Sequence, residues 1–168
     1  MTQYLGTPDY SHGTPARVGV VLVNLGTPAD PSPSSVRKYL AEFLWDPRVI
    51  EMPRALWWLL LHGVILRIRP KRSAHAYQKI WTPDGSPLLL ESRALARGLA
   101  RRLHERFGQD VVVDLGMTYG EPSIGGVLEQ FRRQNVQRLL VLPLYPQYSS
   151  TTTASIFELV ARALGRWR

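Results

Sequence analysis

The chain reads as an α/β protein, a doubly wound parallel sheet, on three observations. Residues 18–23 (VGVVLV) form an unbroken, largely β-branched apolar run, the pattern of a strand buried on both faces. That run closes in a Gly-containing turn, Asn24-Leu25-Gly26-Thr27-Pro28, with a helical segment after it. Two further apolar runs, residues 111–115 and 139–142, are each separated from their neighbours by helical pattern, which implies right-handed parallel crossovers.

Pro and Ser at 31–35 supply capping residues for a first helix over 36–44, which Asp46-Pro47 breaks. Residues 54–68 (RALWWLLLHGVILRI) are strongly apolar, but their uncharged core, 55–66, is too short for the roughly twenty residues a bilayer span needs. Pro70 is expected to end that helix, and residues 73–80 to form another short one carrying Tyr77. After the turn WTPDGSP (81–87), a long amphipathic helix covers 88–107 and stops at Gly108. A helix over 123–134 follows the second strand, and a last one over 154–164 follows the third. Residues 1–16 have no cationic start or apolar stretch, and read as a flexible leader, not a secretion signal. The fold then occupies 17–168.

Composition narrows the chemistry. A length of 168 residues suits one domain with a real core, and 45% hydrophobic residues exclude a disordered chain. With no Cys, the chain holds no disulfide, thiolate zinc site, cysteine nucleophile or thiolate-held cluster. The net charge of +8 invites a nucleic-acid reading. Its basic residues, however, fall in three places: after the apolar run (Arg67, Arg69, Lys71, Arg72), along a helix where they read as a solvated face (Arg93, Arg97, Arg101, Arg102, Arg106), and at the end (Arg162, Arg166, Arg168). No zinc-finger, RNP-like or Lys-rich motif accompanies them. An anionic ligand or membrane surface is the better partner for this charge, and no nucleic acid is expected.

Ligands of open parallel sheets sit outside the carboxyl ends of the strands. Three turns fall there: residues 24–27, 116–120 and 145–153. None carries a G-x-G-x-x-G or G-x-x-x-x-G-K-[ST] pattern, so dinucleotide and nucleotide-triphosphate binding are weak readings. In the third turn, five consecutive hydroxyl residues (149–153) precede a helix, where free backbone N–H groups favour carboxylate or phosphate. Tyr145 and Tyr148 add flat apolar faces. An aromatic ligand bearing carboxylates fits both halves; an over-capped helix start with packed tyrosines fits equally well.

PLYPQYSSTTTAS (143–155) closely resembles the signature stretch of ferrochelatases, and residues 21–51 (VLVNLGTPADPSPSSVRKYLAEFLWDPRVIE) are similar to their amino-terminal region in its proteobacterial form. LWWLLLHGVIL, YQKIWTPDGSPLL and LGMTYGEPS follow in the family's order, so the resemblance runs from about Val18 to the last residue. It implies an enzyme of heme biosynthesis, a lyase, that inserts Fe2+ into protoporphyrin IX, both of them substrates and neither a resident cofactor. It also implies a porphyrin cleft involving Leu25, Tyr77, Ser86, Tyr119, Tyr148, Ser149 and Thr152. Lys79 lies in the segment that follows the lip, and Thr118 stands where some relatives have Arg. The apolar segment resembles the family's helical lip, with Trp57, Trp58, Leu61 and Ile65 facing porphyrin or a membrane; a buried helix is the plain alternative.

In the family the catalytic His and Glu lie beyond the position of Arg168. The resemblance therefore implies an incomplete chelatase-like domain that supplies the amino-terminal half of the cleft, with the second domain absent and the carboxyl-terminal half as a possible partner. No catalytic residue and no metal ligand is assigned here. His62, His75 and His104 have no second ligand at helical spacing, and a lone Glu121 is not a metalation centre. A cytoplasmic protein is implied, peripheral at most to the inner face of the membrane. The alternatives are a non-catalytic porphyrin-binding module or carrier and, less well supported, a homodimeric chelatase.

Overall fold

The computed structural model describes residues 4–6 and 12–167. At its centre β1 (Arg17–Gly26) lies between β2 (Val111–Tyr119) and β3 (Val136–Pro143), all parallel, in the order β2-β1-β3. The continuous apolar run of β1 follows from burial on both faces. Val20 and Leu22 join Ala96 of α4 (Pro87–Phe107), while Val21 and Val23 join Leu128 and Phe131 of α5 (Ile124–Arg133) and Ile156 of α6 (Ser155–Leu164). Each such side chain contributes about 1.5–3 kcal/mol by leaving water. The α/β class expected from the sequence is the one observed.

The two outer edges of the sheet differ. On β2, His104 Nε2 donates to the Val111 carbonyl at 2.8 Å, the Leu115 N–H to its neighbour Asp114 Oδ1 at 2.7 Å, and the Met117 N–H to the Pro122 carbonyl at 2.7 Å. On β3, nothing among the described residues pairs with the outer edge, and Leu140 and Leu142, 55% and 41% exposed, lie on a face that no helix covers.

A second layer holds α1 (Pro33–Trp45), α2 (Arg54–Leu60), a π-helical turn (Leu61–Ile65) and α3 (Leu66–Ile80). Ser32 caps α1 by accepting the Ser35 N–H at 3.2 Å, and Pro33 suits the first turn. Pro70 does not end the helix here; it lies inside α3. In a regular helix its ring would strike the carbonyl four residues earlier, that of Leu66. The π turn ends at Leu66, whose ψ of −4° swings this carbonyl out of line.

Two lip assignments are corrected by burial. Trp57 is 4% exposed and Leu61 fully buried, both packed in a cluster with Val36, Tyr39, Leu40 and Leu44 of α1. Trp57 also donates its indole N–H to the Leu44 carbonyl at 2.8 Å. They pin the helical arm down and do not face outward. The surface belongs instead to Leu56, Trp58, Leu59, Val64 and Ile68, with Ile65 half-buried between them.

The leader is held in at least two places. Leu5 bridges Trp167 and donates its N–H to the Arg166 carbonyl at 2.7 Å. Asn135 Nδ2 donates to the carbonyls of Thr14 at 3.3 Å and Pro15 at 3.0 Å. Residues 1–3 and 7–11, and Arg168, lie outside the described residues.

Candidate functional site

β2 runs on through residues 116–119, which the sequence reads as loop because Gly116 and Thr118 interrupt the apolar run; Gly116, Met117 and Tyr119 still pair with β1. The effect is to bring Tyr119 level with Gly26. Leu25, Tyr77 and Tyr119 then meet in one apolar cluster with Tyr39 and Phe43 of α1. The ring of Phe43 stands edge-on to Tyr119 at 5.2 Å, Tyr39 edge-on to Tyr77 at 6.4 Å, and Tyr77 edge-on to Trp81 at 6.3 Å. Three expected site residues from distant parts of the chain are thus gathered at the strand ends.

Tyr119 is not free to touch a ligand. It is 3% exposed, and its hydroxyl donates to Asp46 Oδ2 at 2.7 Å. Burial, then the neighbouring carboxylate, pushes that hydroxyl well above the usual tyrosine range. Burial likewise raises Tyr39 and Tyr77 of this cluster, and Tyr145 of the neighbouring core, so these hydroxyls stay uncharged at neutral pH. Ser86 is also buried, at the start of α4, where its backbone carbonyl accepts the Leu90 N–H at 3.0 Å.

The third loop is open. Tyr148 is 71% exposed. Ser149 accepts the Thr151 N–H at 3.3 Å and, through its carbonyl, the Thr152 N–H at 3.2 Å. The hydroxyl row does not meet a regular helix end: residues Ser150–Ala154 form a second π-helical turn that leads into α6. Glu121 spends a carboxylate oxygen on the Ser123 N–H at 2.8 Å, as a cap. His62 leans on Trp58, with ring centres 5.2 Å apart, and His75 is exposed. Among the described residues, no three His, Asp or Glu side chains converge on a point that would hold a metal ion.

α3 carries an open groove of about 670 Å³ that the sequence reading did not single out. Val64, Ile65, Ile68 and Ala76 supply its apolar wall, Arg69 and Arg72 its charge, and Ser73 a hydroxyl. Val64, Ile68, Arg72 and Ala76, and beside them Ile65, Arg69 and Ser73, recur at i, i+4 spacing, so one helical face carries both the apolar wall and the arginines.

The family model for ferrochelatase matches residues 17–168. The chain belongs to the ferrochelatase family. Ferrochelatases of Marinobacter nauticus and Thioalkalivibrio sulfidiphilus are each 55% identical to it, over 98% and 97% of this chain. That of Aromatoleum aromaticum is 51% identical over the whole chain. The alignments take in 45%, 44% and 46% of those proteins, so the chain spans about half the length of the curated ferrochelatases it matches.

Proposed function

We propose that this chain forms the amino-terminal, porphyrin-binding part of a ferrochelatase of heme biosynthesis. The reaction replaces the two pyrrole N–H protons of protoporphyrin IX by Fe2+, giving protoheme and two protons, with both metal and macrocycle as substrates. The observation that carries the reading is the α3 groove, where an apolar wall stands beside Arg69 and Arg72. A tetrapyrrole with carboxylate side chains asks for that pairing of apolar area and cationic donors. The resemblance adds Leu25, Tyr77, Tyr148, Ser149 and Thr152 as proposed porphyrin contacts, with Ser86 and Tyr119 as buried supports. No proton-abstracting base and no iron ligand is assigned to this chain, and the complementary half of a ferrochelatase is its proposed partner.

The test is an absorbance titration of the chain with protoporphyrin IX and, separately, with its dimethyl ester. The Soret band should shift with both, and replacing Arg69 and Arg72 together by Gln should weaken binding of the free acid by roughly tenfold while sparing the ester. Leu25→Asp or Tyr148→Ala should weaken both. An unperturbed Soret band at high protein concentration would dismiss the proposal. A non-catalytic porphyrin carrier remains the second reading; iron insertion on mixing with the carboxyl-terminal half of a relative separates the two.

For location we propose a cytoplasmic protein that rests peripherally on the inner face of the membrane. No helix among the described residues is long and apolar enough to cross a membrane. The exposed Leu56, Trp58 and Leu59, with Arg67 and Lys71 nearby in the chain, suit an anionic bilayer surface.

A further inference from the structure

Glu42 and Asp46 stand one turn apart at the end of α1, and both reach into the end of β2. Glu42 Oε2 accepts the Gly120 N–H at 2.9 Å, and Asp46 Oδ2 accepts the Tyr119 hydroxyl at 2.7 Å. Asp46 also organises the turn that leaves α1 toward the helical arm. Its Oδ1 accepts the Arg48 N–H at 2.7 Å, and its carbonyl accepts the N–H groups of Val49 and Ile50 at 3.0 Å each. The arm is fixed to this same helix end: Trp57 bonds the Leu44 carbonyl, and the Arg54 guanidinium lies 3.7 Å over the Trp45 ring. Beside the apolar cluster that joins Tyr77, Phe43 and Tyr119, the Asp46 carboxylate thus links the end of the sheet to the turn that leads into the arm. Only one of its contacts, the Tyr119 hydroxyl, is a side-chain bond to the sheet.

We infer that Asp46 is a positioning residue: acting through Tyr119, it sets the distance between the α3 groove and the strand-end loops. A planar ligand held between two walls depends on their separation more than on any single contact. That the ligand is a porphyrin rests on the proposed function; that the separation is set here does not.

The absence of Cys allows the distance to be measured directly. Spin labels on Gln78→Cys of α3 and Gln130→Cys of α5, both exposed, report the arm against the sheet body. A single narrow distance distribution is expected. Asp46→Ala and Tyr119→Phe should each widen it, and the double variant should widen it no further than either alone. Asp46→Asn, which keeps an acceptor oxygen, should restore the narrow form. Tyr119→Phe removes a hydroxyl without opening a cavity, so it carries the test should Asp46→Ala fail to fold. An unchanged distribution in Tyr119→Phe overturns the inference.

A Soret titration of the same variants reads the consequence for ligand, with binding roughly tenfold weaker in Asp46→Ala and Tyr119→Phe. Native chain that leaves the band unmoved, with the distances still widening in the variants, sinks the porphyrin proposal and keeps the positioning role. Native chain that binds, with variants of unchanged affinity and distance, sinks the positioning role alone.

Discussion

Gly26 leaves no room for a side chain beside the carbonyl of Tyr119. The two residues pair in register across β1 and β2, Gly26 has a φ of +108°, and a Cβ built there would collide with the Tyr119 backbone. Gly26→Ala should therefore destabilise the fold by about 3 kcal/mol, from backbone strain and a clash that no rotamer relieves. Gly85 is the control. Its φ is +122°, yet nothing lies within 4 Å of its added Cβ, so Gly85→Ala should cost only about 1–2 kcal/mol. Denaturant midpoints of the two variants check the order, and equal losses would contradict it.

The adjacent tryptophans should part company when mutated. Trp57→Ala opens a cavity and strips the Leu44 carbonyl of its donor, at a cost of about 3–5 kcal/mol in chemical denaturation. Trp58, 51% exposed, should lose less than about 0.5 kcal/mol on replacement by Ala. Co-sedimentation with anionic vesicles should fall for Trp58→Ala and recede further with salt. Undiminished sedimentation would remove Trp58 from the membrane-facing surface.

Glu129 gives the fold a defined acid limit. It accepts Arg132 Nη2 at 2.6 Å and Arg133 Nε at 3.0 Å, and these bonds hold its carboxyl at about 2, against an ordinary 4.5. A depressed carboxylate stabilises fully above its unfolded value and loses that contribution as pH falls through its folded one. Melting temperatures should thus decline between pH 4.5 and 2 by the equivalent of about 1 kcal/mol, discounted for solvent exposure of the pair. Glu129→Gln should remove that part of the decline, and a melt series from pH 6 to 2.5 reads it.

Leu140→Lys and Leu142→Lys should change stability by less than about 0.5 kcal/mol, since both side chains are already largely in water. They should lower concentration-dependent self-association, measured by light scattering, because a bare apolar strand edge invites pairing. Scattering that matches the native chain would show the edge to be silent.

The sheet was legible because β1 is buried on both faces and says so in six consecutive residues. α4 and α5 were legible from apolar spacing and their Ser, Pro and Gly ends. What escaped the sequence was set by contacts across the chain. The arm looked like one apolar helix ended by Pro70, but two of its residues, Trp57 and Leu61, are claimed by α1, and the π turn at Leu61–Ile65 carries the chain past the proline. Asp46 does end α1 as expected, but its bond to Tyr119, 73 residues away, has no local signal in the sequence. Tyr119 was rightly placed at the strand ends, yet its exposure depended on that same unseen partner. The α3 groove follows an i, i+4 spacing present in the sequence, but that this face stays uncovered is set by how the arm packs on α1.

The unequal edges of the sheet give its growth a direction. Side chains and a returning loop close the β2 side from within, so a strand added there would have to displace Asp114 and Pro122 from bonds already made. Among the described residues nothing bonds the outer side of β3, so its amides and carbonyls are offered at no such cost. Whatever extends this sheet, whether more of a polypeptide or another molecule, is steered to one flank by hydrogen bonds formed on the opposite one.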